Sequence, residues 1–166
     1  MINSLGNLAT LPEPTAFWPM LDAKLLELAE AHFTDGVAFM TVMLREPSQF
    51  RGWDYPAFNM YGREVRQRMD LHGCGAYHAD MTYPYSLFWM VKGPADEIGP
   101  TAKGEFRKLF EFAVSLFDSL GDFNDGKETF QNLTIGNGVT TPVPVVSSKN
   151  ESIVVCGIEI LIESSI

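Results

Sequence analysis

The stretch Tyr83–Val91, YPYSLFWMV, decides the fold. Successive strand side chains point to opposite faces, so Leu87, Trp89 and Val91 share one face and Phe88 and Met90 the other. A run apolar on both faces reads as a strand covered on both sides, the central strand of a sheet. Lys92-Gly93-Pro94 ends it. On its C-terminal side, TAKGEFRKLFEFAVSLFDSLGDF (101–123) sets Phe106, Leu109, Phe110, Ala113, Phe117 and Leu120 in a stripe at helical spacing, with Thr101 placed to cap the first turn. On its N-terminal side, MLDAKLLELAEAHF (20–33) gathers Leu21, Leu25, Leu28 and Ala29 on one face, which predicts an amphipathic helix. Thr34-Asp35-Gly36 breaks that helix, and VAFMTVML (37–44) has the length and composition of a buried strand.

Between these, Ala57–Tyr61 alternates, and Arg63–Arg68 sets Val65 against Arg66 and Arg68 as a half-exposed strand or ribbon does. Beyond the long helix come Thr129–Ile135, a Gly- and Pro-punctuated region carrying Val143, Val145 and Val146, and Ile153–Glu163. In that last run Ile158, Ile160 and Ile162 alternate with Glu159, Leu161 and Glu163, so one face is buried and the other is wet. The order is helix, three strands, helix, then two or three strands. Without regular strand–helix–strand alternation, this predicts an α+β domain with a mostly antiparallel sheet packed against two amphipathic helices. Residues 1–19, with three prolines and no base, read as an extended arm before a single domain over 20–166.

Composition narrows the function. The 166 residues are 46% hydrophobic and 20% charged, the balance of a folded domain. Twelve basic against twenty-one acidic residues give a net charge of −9, which repels phosphate backbones and anionic lipid. Neither nucleic acid nor membrane is expected as a partner. There is no Lys or Arg before Lys24 and no apolar run of secretory length, so assembly in the cytoplasm is expected. Cys74 and Cys156 are expected to be reduced thiols, with Cys156 buried in the most apolar strand.

The loops and motifs that carry nucleotides, nucleophile elbows and zinc proteases are missing from the sequence. HGCGAYHAD (72–80) brings His72, Cys74, His78 and Asp80 together. Same-face strand neighbours lie about 7 Å apart, whereas zinc bonds are about 2 Å, so these residues converge on a metal only if the glycines fold the chain back. The competing reading is a glycine-bearing turn with solvated histidines. Cys74 as a nucleophile needs a base that His72 or His78 would have to supply, and sequence proximity alone does not orient one. No catalytic, metal or cofactor site is therefore expected. The sites singled out are for association. Arg45, Arg51, Arg63, Arg66 and Arg68 put five of the twelve positive charges within 24 residues. They form either a solvated face or a patch that meets acids such as Glu27, Glu30, Asp118, Asp122 and Asp125 on another copy. Phe50, Trp53 and Tyr55 are either local core cover or interface anchors, the role in which Trp and Tyr excel.

The order of MLDAKLLELAEAHF, a strand, WDYPAFNMYGREV, YPYSLFWMVKG, GEFRKLFEFAVSLFDSL and VVCGIEILIE resembles that of the tail terminator, or tail completion, proteins of long-tailed bacteriophages. The likeness covers roughly residues 20–163 and rests on element order and a few aromatic and proline positions. It implies a virion protein of the neck and tail, without enzymatic activity or cofactor. Such a protein forms a ring, usually of six copies, on the head-proximal end of the tail. It ends tube growth and joins the tail to the neck, with the tail-tube protein and the head–tail connector as partners. A small ligand-binding or isomerase-like enzyme with an apolar pocket, or another neck or tail-tube subunit, is the alternative.

Overall fold

The computed structural model describes residues 15–33, 39–43, 54–71, 77–94, 96, 98–144 and 150–166. Its elements run α1 (Phe17–His32), β1 (Phe39–Met43), β2 (Ala57–Gly62), β3 (Arg66–Leu71), β4 (Tyr77–Pro94), α2 (Ile98–Ser119), β5 (Thr129–Pro144) and β6 (Glu151–Ser165). The strands form one sheet in the order β1-β2-β4-β6-β5, and β3 also pairs with β4. Only β1 and β2 pair in parallel; the other ladders are antiparallel. The chain is thus α+β, with a mostly antiparallel sheet packed against two helices. Four strands rather than three precede α2, because the arginine ribbon forms β3 in its own right.

β4 is the central strand, extended beyond Tyr83–Val91 at both ends. It carries Pro84, and a proline has no N–H to give a neighbouring strand. The loss falls where β2 has ended and β3 has not begun. Gly62 pairs with Tyr85 and Arg66 with Thr82, so three residues on one side oppose two on the other. Only the Arg63 N–H to Pro84 carbonyl bond, 2.9 Å, crosses that gap. One proline therefore splits a single long strand into β2 and β3. Pro142 and Pro144 sit in β5, at the edge of the sheet, where a missing N–H does least harm.

One face of the sheet carries Phe58 and Met60 of β2, Tyr83, Tyr85, Leu87 and Trp89 of β4, and Val154, Cys156, Ile158, Ile160 and Ile162 of β6. These pack with Phe17, Leu21, Leu25 and Ala29 of α1 and Leu109, Phe112, Ala113, Leu116 and Leu120 of α2. Phe33 stacks flat on Trp89 at 4.0 Å, and the Trp89 indole donates to Glu105 at 2.6 Å. Cys156 is buried, as its strand predicts. On the other face a smaller cluster gathers Ala57, Met90, Ile153 and Val155, with Tyr55 and Phe88 against it.

Three sequence expectations are corrected. α1 begins at Phe17, so the arm cannot extend to residue 19; Pro19 fits because the first helical turn has no use for its N–H. α2 begins at Ile98, which puts Thr101 inside the helix rather than at its cap. Its buried face is Leu109, Phe112, Ala113, Leu116 and Leu120, whereas Phe110 and Phe117 are exposed. Phenylalanines lie on two adjacent faces of α2, and hydrophobicity alone does not say which one meets the sheet.

The turn NDGKE (124–128) seats the start of α1. Gly126 takes a φ of 90°, and Asp125 accepts the N–H groups of Lys127 and Glu128 at 2.9 and 2.7 Å. Burial pushes the Asp125 carboxyl upward, but the backbone N–H groups of Glu128, Lys127, Ala16 and Phe17 outweigh it and hold the group below the usual carboxylate range. Asp125 thereby does the capping that Ala16, the residue before α1, has no side chain to do. Next to it Glu128 is fully buried. It accepts the Thr15 hydroxyl at 2.6 Å, the Tyr83 phenol at 2.6 Å and the Ser164 hydroxyl.

Tyr83 and Tyr85 are both held protonated. Burial raises each phenol far above its ordinary value, reinforced by the hydrogen bond and charge of Glu128 for Tyr83 and of Asp22, 2.7 Å away, for Tyr85. A folded pKa above the unfolded one gives stability that is complete below about pH 10 and is lost as the pH rises beyond it. Of the five tyrosines, Tyr83 and Tyr85 are expected to ionise only as the protein unfolds in alkali, seen as a late absorbance step coincident with loss of circular dichroism. Phenolate from both, with the fold intact near pH 10, would contradict this.

Candidate assembly surfaces

The sequence-predicted interface residues fall in different settings. Phe50, Arg51 and Trp53, with Arg45, lie outside the described residues. Tyr55 is half-buried against the small outer-face cluster, and burial raises its phenol pKa. Arg63 donates to Ser86 at 3.1 Å and is paired with Glu159, so part of its charge is answered within the chain. Arg68 lies 3.5 Å from Asp70. Arg66 is exposed on β3 and has no ion-pair partner among the described residues. The three arginines thus share one edge of the sheet, with Arg66 the one whose charge is unanswered.

His72 and Cys74 of the tempting cluster also lie outside the described residues. His78 and Asp80 share a face of β4 and pair at 2.8 Å. They border an open cleft of about 350 Å³ with Thr82, Gln131, Glu163 and Ser165. Its walls, which include Met81, are about equally polar and apolar.

The surface that sequence reasoning missed is the flank of α2. Phe110, Val114 and Phe117 are 44%, 49% and 50% exposed. Spacings of four and three residues line them up along the helix. Phe117 meets Phe130 of β5 edge-on at 6.1 Å, and one turn before Phe110 the Phe106 ring lies over Gly138 of β5. The stripe therefore overhangs the β5 edge of the sheet, above half-buried Leu133 and Ile135. The signal was in the sequence, since α2 has more large apolar residues than one buried face accommodates.

At the opposite edge, Trp18 is partly exposed. It leans on Tyr83, with ring centroids 6.1 Å apart, and lies beside Gly62 at the end of β2. More than two helical turns further along α1 come half-buried Leu26 and exposed Glu27 and Glu30.

No protein-family model matches this chain, and no curated protein does. What its surfaces can do is read from their own chemistry. Two apolar patches lie at opposite lateral ends of the helix layer, each flanked by charge. At one edge these are Lys103, Arg107, Asp118 and Asp122, and at the other Glu27 and Glu30, while Arg66 and Arg68 of β3 pair across with Thr82 and Asp80 on the sheet face away from the helices. Apolar stripes of this kind mark contact surfaces more often than free ones.

Proposed function

We propose that this chain is a structural virion subunit that forms a ring, of six copies, on the head-proximal end of a bacteriophage tail. The ring stops growth of the tube and offers the surface to which the capsid neck joins. Its partners are other copies of itself, the tail-tube protein and the head–tail connector, and it performs no chemistry of its own. The observation that carries this reading is the half-exposed stripe Phe110, Val114 and Phe117 on a helix whose Leu109, Phe112 and Leu116 are buried. A solitary soluble domain gains nothing from such a stripe, whereas a subunit buries it against its neighbour. The order of elements supports the reading too. A leading helix, a strand, the aromatic–proline segment that leads into β2, the central strand, a long helix and a final strand are the features on which the likeness to tail terminators rests.

Cryo-electron microscopy of virions from a phage encoding this chain tests the proposal. Density for a ring of this fold between tail tube and connector is the expected result. Its absence from the virion, or a position along the tube, would overturn the terminator reading.

A further inference from the structure

We infer that residues 1–14 fold back on the chain's own α2 and dock in the groove between the Phe110–Phe117 stripe and β5. The docking is argued from where the described fold begins. Its biological role, covering the stripe until a neighbour replaces the arm, rests on the reading above.

Thr15 is the first described residue, and its hydroxyl is held by Glu128 at 2.6 Å. Glu128 lies two residues before Phe130, whose ring meets that of Phe117 at the C-terminal end of the stripe. The fixed end of the arm is therefore close to that end of the groove. From there the groove follows Val114 and Phe110 to Phe106, which lies over Gly138, with Leu133 and Ile135 of β5 beneath. From Phe106 to Phe117 the helix rises about 17 Å, at about 1.5 Å per residue. Fourteen residues of extended chain reach about 43 Å, enough to round the 120–128 turn and lie along the whole stripe.

The arm's sequence suits the groove. MINSLGNLATLPEP carries Ile2, Leu5, Leu8, Leu11 and Pro14 at a constant spacing of three, and Glu13 is its one charged side chain. The polyproline conformation, which Pro12 and Pro14 favour, turns once every three residues and would set those five side chains in a row. Each step of such a row is about 9 Å, and Phe117 to Phe110 is about 10 Å along α2. Leu11 and Leu8 are thus spaced to meet Phe117 and Phe110, with Leu5 next to Phe106. Bulges in β5, between Phe130 and Asn132 and between Ile135 and Gly138, interrupt its free edge, so side chains rather than strand addition hold the arm. A second copy would have to bring an apolar segment from solution, whereas the tether at Thr15 keeps this one at a local concentration that is roughly millimolar. Ordering the arm offsets much of what the contact gains, so a larger apolar partner displaces it.

Hydroxyl-radical labelling of the purified full chain, read residue by residue by mass spectrometry, tests this. Wild type is compared with the triple variant Leu5→Asp, Leu8→Asp and Leu11→Asp, each over a concentration series. Phe110 and Phe117 are expected to label at least about threefold faster in the variant, the ratio that follows when an arm docked most of the time is released. Leu161, on the sheet face away from the helices, should label alike in both. Circular dichroism and melting should be nearly unchanged; if the triple variant melts well below wild type, Leu8→Asp alone is judged by the same ratio.

Equal labelling of the stripe in wild type and variant would overturn the inference. So would protection in wild type that disappears on dilution, since the cover would then be a second copy. Tail length separates this from the terminator reading. A freely labelled stripe with tails still held to one length removes the docking and keeps the terminator. A protected stripe with tails of uncontrolled length keeps the docking and removes the terminator.

Discussion

Glu128→Ala is expected to reduce unfolding free energy by about 3–5 kcal/mol, as much as truncating a large core side chain. The carboxylate is fully buried and accepts three hydroxyls, from Thr15, Tyr83 and Ser164. Without it, the Tyr83 and Ser164 hydroxyls are left in the core, and an unsatisfied buried polar group costs about 1–3 kcal/mol. The loss also frees the residue that leads into α1, since Thr15 is held there. A domain of this size holds only about 5–15 kcal/mol in total, so much of the stability goes with one side chain. Urea unfolding followed by circular dichroism measures it. Tyr83→Phe, which removes one donor and leaves the acceptor two others, should cost only about 1 kcal/mol. A Glu128→Ala midpoint close to that of wild type would show that the network does not hold the fold.

The second large effect is on assembly. Phe110→Asp with Val114→Asp alters two half-exposed positions on the flank of α2. The monomer should lose only about 1 kcal/mol, chiefly through lower helix propensity. In the proposed ring the same change would set two unpaired charges against a neighbouring copy, and desolvating them is far more costly than losing the contact. Self-association and retention on purified tails are both expected to vanish while the melting temperature moves by only a few degrees. A variant that melts like wild type and still copurifies with tails would show that the stripe faces solvent in the assembly.

How much of this was legible in the sequence depended on the kind of signal. The central strand was readable because YPYSLFWMV is apolar on both faces, and β6 because Ile158, Ile160 and Ile162 alternate with wetter neighbours. α1 was legible from its periodicity, but its start was not. What places it is the Asp125–Glu128 turn, more than a hundred residues away in sequence, which takes up the N–H groups of Ala16 and Phe17. Likewise the break between β2 and β3 follows from Pro84 on the partner strand, and a break imposed across a ladder has no local signature in Gly62–Val65.

At the candidate surfaces, the arginine ribbon was visible as a cluster of charge. Its partial neutralisation by Glu159, 96 residues distant from Arg63, was not. The α2 stripe was hidden for the opposite reason. Its phenylalanines all read as core by periodicity, because the helix carries more apolar side chains than one buried face can take, and only the packed sheet decides which are left outside.

The central claim is that this chain ends tail growth by closing a ring, and tail length is its most direct readout. Tails should be assembled with and without the chain and measured by electron microscopy. With it, a single narrow length class joined to capsids is expected; without it, tubes of widely scattered length that join no capsids. The same narrow length distribution in both preparations would contradict the account.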